Sequence, residues 1–243
     1  IGPAGSGKST LLREGFPSDI VYTPESIRGV EYHPLITPRV GNQAVIFDVD
    51  GVLTTPGGDD LLRRRLREHW LGWLMQTRAR QPLNGLILTL DLPDLLTADK
   101  SRRETLVQNL RQQLQEIRQS LHCRLPVYVV LTRLDLLNGF AALDKKDRDA
   151  ILGVTFTRRA HESDGWRSEL GAFWQTWVQQ VNLALSDLVL AQTGAAPRSA
   201  VFSFSRQMQG TGEIVTALLA ALLDGENMDV MLRGVWLTSS LQR

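Results

Sequence analysis

Cysteine is almost absent from this chain of 243 residues, which contains Cys123 alone. A single thiol cannot form an intrachain disulfide, so the sequence excludes disulfide-stapled secreted domains and favours a reducing compartment such as the cytosol. None of the four histidines pairs with this cysteine at the spacing of zinc ligands, and no zinc site is predicted. A G-x-S-x-G sequence is also missing, so a serine-hydrolase triad has no support.

Long apolar segments are missing as well. The longest nearly uninterrupted apolar stretch runs from Ile214 to Leu223 and is broken by Thr216. A helix that crosses the ~30 Å hydrocarbon core of a membrane needs roughly 20 predominantly apolar residues. The sequence therefore predicts no membrane-spanning segment within this chain.

Neither sign of charge is in excess. The chain has 27 basic and 26 acidic residues, which gives a formal net charge of +1 at pH 7. This balance generates no overall field that would attract nucleic acid, anionic lipid or an acidic protein. Nucleic acid is therefore not among the partners that we expect.

The first residues of the chain form a glycine-rich motif. The sequence matches G-x-x-x-x-G-K-[ST] at every fixed position, over Gly2, Pro3, Ala4, Gly5, Ser6, Gly7, Lys8 and Ser9. In such a loop the backbone N–H groups surround the α- and β-phosphates of a nucleotide at the N-terminus of a helix. The lysine reaches the β- and γ-phosphates, and the hydroxyl of the last residue binds magnesium. The alternative is a glycine-rich turn that arose by chance.

We therefore predict that these residues, together with Thr10, bind a nucleotide. Lys8 is predicted to act in catalysis and Ser9 to be a ligand of magnesium. Only Ile1 precedes the motif. Because a loop of this kind follows a strand, we expect the first strand to be cut off from this chain.

A second motif, D-V-D-G at residues 48–51, ends the apolar segment 43–49. It resembles the D-x-x-G motif of small GTPases, so Asp48 is predicted to hold magnesium through a water and to act in catalysis. The N–H group of Gly51 is predicted to contact the γ-phosphate. The alternative for Asp48 is a solvated carboxylate at a strand end, and Asp50 is expected at the surface or behind the site. Val52 stands where small GTPases usually carry a water-orienting glutamine, so we expect slow hydrolysis.

A third motif, T-R-L-D at residues 132–135, follows an apolar segment and is similar to the guanine-specifying [NT]-K-x-D of GTPases. A carboxylate can accept two parallel hydrogen bonds from guanine, which adenine cannot donate. Thr132, Arg133 and Asp135 are therefore predicted to bind the base, although a helix-capping role for Asp135 is the alternative. A further backbone contact to the nucleotide is expected at residues 203–205, after a strand predicted at 200–204.

Alternating apolar segments predict an α/β fold. Strands are predicted at 20–22, 43–49, 84–92, 126–132 and 200–204, and helices from residue 62 onwards and at 102–121, 166–190 and 212–223. This order indicates a P-loop NTPase of the small-GTPase type, with a mostly parallel sheet and helices on both faces. We expect one domain over residues 1–225, with a helical insert at about 159–195, and the start of a helical or extension segment over 226–243. Trp70, Trp73, Trp174 and Trp177 are expected in the core.

Three long stretches connect the chain to a known family. They read RARQPLNGLILTLDLPDLL at 78–96, LPVYVVLTRLDLLNGF at 125–140 and LRGVWLTSSLQ at 232–242. They resemble the cytoplasmic domain of the TssM (IcmF-like) inner-membrane proteins of bacterial type VI secretion systems. The resemblance implies a domain at the cytoplasmic face of the inner membrane, anchored through segments absent from this chain. It also implies other membrane-complex and baseplate subunits as partners.

Two functions are compatible with these motifs. The first is a slow switch that binds ATP or GTP with Mg²⁺, in which the γ-phosphate orders the segment between Tyr22 and Pro38. Arg28 and Arg39 lie in or next to this segment, and their position relative to the phosphates does not follow from the sequence. The second is a catalytically degenerate scaffold that docks other secretion subunits. The intact pair of Lys8 and Ser9 favours the first. Many relatives read D-T-A-G and T-K-x-D where this chain has D-V-D-G and T-R-L-D, and these departures, together with Val52, favour the second.

Overall fold

A computed structural model describes residues 1–15, 20–22, 35–42, 44–54, 60–143, 153–157, 165–224 and 230–240. The strands are β1 (Ile20–Tyr22), β2 (Ile36–Gly41), β3 (Val45–Val49), β4 (Leu86–Asp91), β5 (Leu125–Thr132), β6 (Val154–Thr155) and β7 (Val230–Leu237). The helices are α1 (Lys8–Gly15), α2 (Asp60–Thr77), α3 (Leu92–Thr97), α4 (Lys100–Leu121), α5 (Gly165–Ala191) and α6 (Ala195–Leu223). Among these helices, none combines the length and the apolar character that a membrane span requires.

The strands form two sheets. In the first, β1, β2 and β3 are antiparallel neighbours in that order. In the second, the order is β4-β5-β7-β6, with β4, β5 and β7 parallel and the short β6 antiparallel to β7. The molecule is therefore an α/β protein, as predicted. The second sheet is mixed, with three parallel strands and one antiparallel strand, and a separate antiparallel sheet accompanies it.

Ile1 lies where the two sheets meet. Its amino group donates a hydrogen bond to the carbonyl of Ile87 (2.6 Å), and the N–H group of Thr89 donates to the carbonyl of Ile1 (2.9 Å). In a parallel ladder, one residue forms hydrogen bonds to the two residues that flank its partner on the neighbouring strand. Ile1 bonds in this way to Ile87 and Thr89, which flank Leu88. The Ile1 side chain packs against the core clusters of both sheets. The glycine-rich loop therefore starts from a strand-like position at the edge of β4.

The main core lies between the parallel strands and their helices. The fully buried strand side chains belong to Leu88, Val127, Val129, Leu131 and Val235. Near-continuous burial of this kind is typical of parallel strands in α/β proteins. Helix α4 contributes a stripe of apolar residues at helical spacing, namely Val107, Leu110, Leu114, Ile117 and Leu121. The helix predicted at 102–121 is confirmed, and its buried stripe includes Val107, while Leu106 is only partly buried.

Residues 200–204 were predicted as a strand, and the prediction is wrong, because they lie inside α6. Val201, Phe204 and Met208 recur at intervals of three and four residues and are fully buried. A window of five residues shows the alternation of a strand, whereas the longer window shows a helical period. Helix α6 packs on α5, and Trp174 of α5 donates its indole N–H to the Met208 carbonyl (2.6 Å).

The place of the predicted strand is taken by β7. Residues 230–237 were expected to begin a helical or extension segment, yet they pair with β5 on one side and β6 on the other. Within the insert predicted at about 159–195, residues 165–191 form α5, and α5 and α6 together make a hairpin of two long helices between β6 and β7. The C-terminal segment is thus part of the parallel sheet.

The first sheet is less buried than the apolar sequence of 43–49 suggests. Val45 of β3 is 53% exposed, and β3 lies at the edge of a three-stranded antiparallel sheet. Trp73 is 47% exposed and packs edge-on against Phe47, whereas Trp174 and Trp177 are buried as expected. Trp70 is partly buried against the same phenyl ring.

Candidate functional site

The glycine-rich loop curls at the start of α1. Gly5 and Gly7 both have φ near +78°, a left-handed conformation that residues with a Cβ rarely adopt. Gly2 lies directly on β4, where an added Cβ would stand 2.3 Å from the carbonyl oxygen of Thr89. The Ser6 N–H group closes the turn by donating to the Pro3 carbonyl (3.2 Å). The three glycines are therefore required by the path of the loop.

Lys8 points back over this loop. Its ammonium group donates hydrogen bonds to the carbonyls of Gly2 and Pro3, both at 2.8 Å. Burial lowers the pKa of Lys8, while the carboxylates of Asp48 and Asp50 act in the opposite direction. The positive charge predicted for phosphate binding thus lies inside the loop and at the N-terminus of α1, where a helix favours anions.

The two side chains predicted to bind magnesium are brought together. The hydroxyl of Ser9 donates a hydrogen bond to Oδ2 of Asp48 (3.1 Å), although the two residues are 39 positions apart. The same carboxylate oxygen lies 3.7 Å from Nη2 of Arg39 on the neighbouring strand β2. A hydroxyl and a carboxylate are oxygen ligands of the kind that magnesium prefers.

Gly51 lies against the glycine-rich loop. A Cβ at this position would stand 2.3 Å from both the backbone nitrogen and the Cα of Ala4, so only glycine fits. The Thr54 hydroxyl donates to the carbonyls of Gly2 (2.6 Å) and Gly51 (3.0 Å). Gln113 of α4 in turn donates its amide to the Thr54 carbonyl (2.7 Å). The turn after β3 is therefore attached to the loop through backbone contacts.

Asp50 and Val52 are exposed, whereas the Asp48 side chain is mostly buried. The Asp50 carboxylate caps the short 3-10 helix Gly51–Leu53 by accepting a hydrogen bond from the Val52 N–H group (2.7 Å). Its exposed position agrees with the expectation of a surface role. The Val52 side chain is 41% exposed and offers no polar atom.

One cleft of about 440 Å³ collects most of the predicted residues. Its walls are formed by the loop, the start of α1, the ends of β2 and β3, and one residue after β5. They comprise Ala4, Gly5, Ser6, Gly7, Lys8, Ser9, Thr10, Thr37, Arg39, Asp48, Asp50, Gly51 and Arg133. Thr37 and Arg39 were not predicted as site residues. The alternation I-T-P-R-V in β2, with polar residues at every second position, is the signal that could have identified them.

Thr132 packs against the glycine-rich loop at Ser6 and Gly7. The Thr132 side chain is buried. Its hydroxyl donates to the carbonyl of Ser6 (2.9 Å) and also lies 3.2 Å from the carbonyl of Leu90. Its atoms also lie 3.3 Å from the position that a Cβ on Gly7 would take. The threonine of the third motif therefore holds the glycine-rich loop in place.

Arg133 separates the first cleft from a second one. Its backbone is left-handed, with φ of 63°, and its guanidinium donates to Asp91 at the end of β4 (2.6 Å). The second cleft has a volume of about 300 Å³. Its lining comprises Gly7, Thr10, Leu11, Glu14, Thr132, Arg133, Asp135, Thr238, Ser239 and Ser240. Arg133 lines both clefts, so its side chain forms part of their common wall.

Asp135 contacts the loop that follows β7. Its Oδ1 accepts hydrogen bonds from the Ser239 hydroxyl (3.0 Å) and from the Ser240 N–H group (3.1 Å). These contacts fix the carboxylate at the rim of the second cleft. Residues 203–205, which were expected to contact the nucleotide, belong to α6 and do not line this cleft, whereas residues 238–240 do. The sequence pattern that could have identified residues 238–240 as part of the cleft is the apolar segment LRGVWL, which is followed directly by T-S-S.

Comparison with known proteins adds the family. The sequence model of the IcmF-related N-terminal domain matches residues 64–243, about three quarters of the chain. The chain belongs to the IcmF-related family. It is also 29% identical over 255 aligned residues to the type VI secretion system component TssM1 of Pseudomonas aeruginosa. No solved structure matches.

The two comparisons cover the site differently. The IcmF-related domain match contains Arg133, Asp135 and residues 238–240, whereas the glycine-rich loop and Asp48 precede its first matched residue. The alignment with TssM1 covers 100% of this IcmF-related chain and 23% of TssM1. The chain therefore spans about a quarter of the length of this relative.

Proposed function

We propose that this chain is a nucleotide-binding domain of a TssM-like component and acts as a slow, NTP-dependent switch. The observation that carries the proposal is the convergence of Lys8, the Ser9–Asp48 pair and Gly51 on one cleft at the glycine-rich loop. These groups come from two segments of the chain, residues 8–9 and 48–51, which makes an accidental glycine-rich turn a poor explanation. Family membership and the similarity to TssM1 support the assignment to a secretion component.

The residues present fit a nucleoside triphosphate with magnesium. The positive-φ glycines leave the concave side of the loop without side chains, as a phosphate cradle requires. The loop backbone and Lys8 would hold the phosphates, and Ser9 with Asp48 would hold magnesium. Bound magnesium would neutralise charge on the terminal phosphates. Gly51 touches the loop at Ala4 and would bring its backbone to the same phosphates.

The second cleft is proposed to take the base. Asp135 lies at its rim, and two hydrogen bonds to its Oδ1 orient the carboxylate. A carboxylate in this role favours guanine over adenine, because it accepts from N–H groups that adenine lacks. The stem of Arg133 would border the base on one side.

Slow turnover is proposed because the position after Gly51 is apolar. Val52 cannot orient a water molecule by hydrogen bonding, unlike the glutamine of small GTPases. The segment between Tyr22 and Pro38 is expected to respond to the γ-phosphate. Its residues 23–34 lie outside the part of the chain that the structure describes. Its expected ordering therefore stays a prediction.

A scaffold that docks other subunits is the second candidate function. It is favoured by large apolar side chains that are exposed on the helices, namely Leu61, Leu62, Leu183, Leu190 and Phe202. Exposed apolar side chains of this size are common at protein interfaces. On this interpretation the clefts would contribute to structure rather than to a nucleotide cycle.

The cellular setting follows from the TssM-like relationship as a proposal. We propose that the domain lies at the cytoplasmic face of the bacterial inner membrane, anchored by segments outside this chain. Other subunits of the secretion membrane complex and baseplate are its proposed partners. These assignments concern a whole TssM-like protein. The alignment with this chain covers about a quarter of TssM1.

A titration tests the proposal directly. Fluorescent derivatives of ATP and GTP are added to the purified chain with and without Mg²⁺, and the dissociation constants are compared. Saturable, magnesium-dependent binding of either nucleotide supports the switch. No binding of either one at millimolar concentration would leave the scaffold as the function.

A further inference from the structure

Arg39 faces the first cleft from strand β2. Thr37 and Arg39 are two positions apart on one strand, so their side chains lie on the same face of the antiparallel sheet. Thr37 is paired in register with Asp48 of β3, which places the carboxylate on that face too. Ile36 has the opposite orientation and belongs to the apolar cluster with Val49. The cleft-facing side of this small sheet is therefore polar.

The guanidinium of Arg39 is only partly satisfied by the protein. Its Nη2 lies 3.7 Å from Asp48 Oδ2, beyond hydrogen-bond distance, and the arginine and aspartate side chains are 22% and 11% exposed. Its Nε atom is buried and has no hydrogen-bond partner among the residues that the structure describes. An unpaired buried donor is costly, and an arginine fork matches the oxygens of a phosphate.

Lys8 and Arg39 line the same cleft from opposite elements. Lys8 lies at the start of α1, and its ammonium group donates hydrogen bonds to carbonyls of the glycine-rich loop. Arg39 comes from β2 and lies beside Asp48, whose Oδ2 also accepts from Ser9. A ligand held by the loop would reach Arg39 with its terminal anionic group, because the guanidinium lines the same cleft and lies next to a predicted magnesium ligand.

We propose that Arg39 contacts the terminal phosphate of a bound nucleoside triphosphate and so distinguishes a triphosphate from a diphosphate. This inference rests on the proposed nucleotide binding. The contact links the phosphate to β2, whose first residues, 36–38, are the end of the segment expected to act as the switch. The rival role for Arg39 is to balance the charge of Asp48, which would affect both kinds of nucleotide equally.

The test compares affinities for triphosphate and diphosphate in one protein. The 243-residue chain and its Arg39→Ala variant are titrated calorimetrically with Mg²⁺ and four probes: the β,γ-imido analogues of GTP and ATP, GDP and ADP. We expect the variant to lose about tenfold or more in affinity for the triphosphate analogue, since charge-assisted hydrogen bonds are lost. The affinity for the diphosphate should change by less than about twofold, because it lacks the phosphate that Arg39 contacts.

Three further variants make the result specific. Arg13→Ala removes an exposed arginine of α1 that pairs with Glu14 and does not line the cleft, and it should change neither affinity. Arg39→Lys keeps the charge without the planar fork and should recover only part of the loss. Arg39→Gln keeps a long polar side chain, and it decides the question in the same titrations if Arg39→Ala does not fold by circular dichroism.

The outcomes separate this inference from the function on which it rests. A selective loss for the triphosphate supports the contact. Equal losses for both nucleotides, or no loss, in a parent that binds nucleotide would overturn the role of Arg39 and leave the proposed function standing. A parent chain that binds none of the four probes would overturn both.

Discussion

The Ser9 hydroxyl donates a hydrogen bond to Asp48 at 3.1 Å, and this contact joins the first helix to the end of β3 across 39 positions. Around it lie the loop carbonyls that hold Lys8 and the backbone contact between Gly51 and Ala4. The proposed phosphate and magnesium sites therefore depend on the same few contacts. Substitutions of the Lys8, Ser9 and Asp48 side chains should affect ligand binding while leaving the main core unchanged, because none of the three belongs to it.

Lys8→Ala should abolish nucleotide binding. The variant removes the ammonium group inside the glycine-rich loop, which is hydrogen-bonded to the carbonyls of Gly2 and Pro3. Hydrogen bonds to a charged group contribute about 1.5–3 kcal/mol each, so affinity should fall by more than about tenfold. Fluorescent-nucleotide titration measures the loss. Lys100→Ala, at an exposed lysine of α4, is the matched control. An unchanged affinity with an unchanged circular dichroism spectrum would remove Lys8 from the site.

Asp135→Asn should exchange guanine preference for xanthine preference. The amide donates where the carboxylate accepted, while its oxygen can still accept from Ser239 and Ser240, so the loop after β7 should keep its position. Competition titrations with GTP, xanthosine triphosphate and ATP measure the change, and ATP affinity should barely move. Equal GTP affinity in parent and variant would mean that Asp135 only holds the 238–240 loop.

Intrinsic turnover should be slow. Val52 is 41% exposed next to Gly51 and provides no hydrogen-bonding group for a water molecule. Small GTPases without an activator hydrolyse at about 10⁻⁴ s⁻¹, and a domain with its arginine in place reaches about 10⁻² s⁻¹. Single-turnover assays on the isolated chain should therefore give a rate below about 10⁻² s⁻¹, and added cytoplasmic partner domains should raise it. A faster rate without partners would contradict the assignment of Val52.

Gly212→Ala should destabilise the helical hairpin of α5 and α6. A Cβ at Gly212 would stand 2.6 Å from Cδ1 of Trp174, whose ring is held by a hydrogen bond to Met208. Overpacking of this kind costs about 1–3 kcal/mol, so the melting temperature should fall.

Gly210→Ala is the matched control for this substitution, because nothing lies within 4 Å of an added Cβ there and the residue belongs to the same helix. Alanine should stabilise this helix position by roughly 0.5–1 kcal/mol relative to glycine. A thermal or denaturant melt of the two variants measures both changes. If Gly212→Ala were as stable as Gly210→Ala, the close packing of Trp174 on α6 would be wrong.

Much of the candidate site was predictable because its residues occur in local motifs. Lys8 and Ser9 follow a glycine-rich turn at a helix start, Asp48 lies near the end of the apolar strand β3, and Asp135 follows the apolar strand β5. Arg39 was not assigned, because a single arginine in a short strand has no motif. Its place in the cleft depends on the pairing of β2 with β3, which is a non-local contact.

The sequence by itself determined the elements whose residues specify them locally. These are the glycine-rich loop with α1, the amphipathic α4 and the valine-rich strand β5, where glycine conformation, hydrophobic period or β-branched residues favour one structure. The tertiary structure alone decided that 200–204 are helical, that 230–237 form the strand beside β5, and that residues 238–240 meet Asp135. The physical reason is that a short apolar segment can form a helix or a strand. Phe204 packs against Phe140 and Trp177, and this burial against distant residues selects the helix.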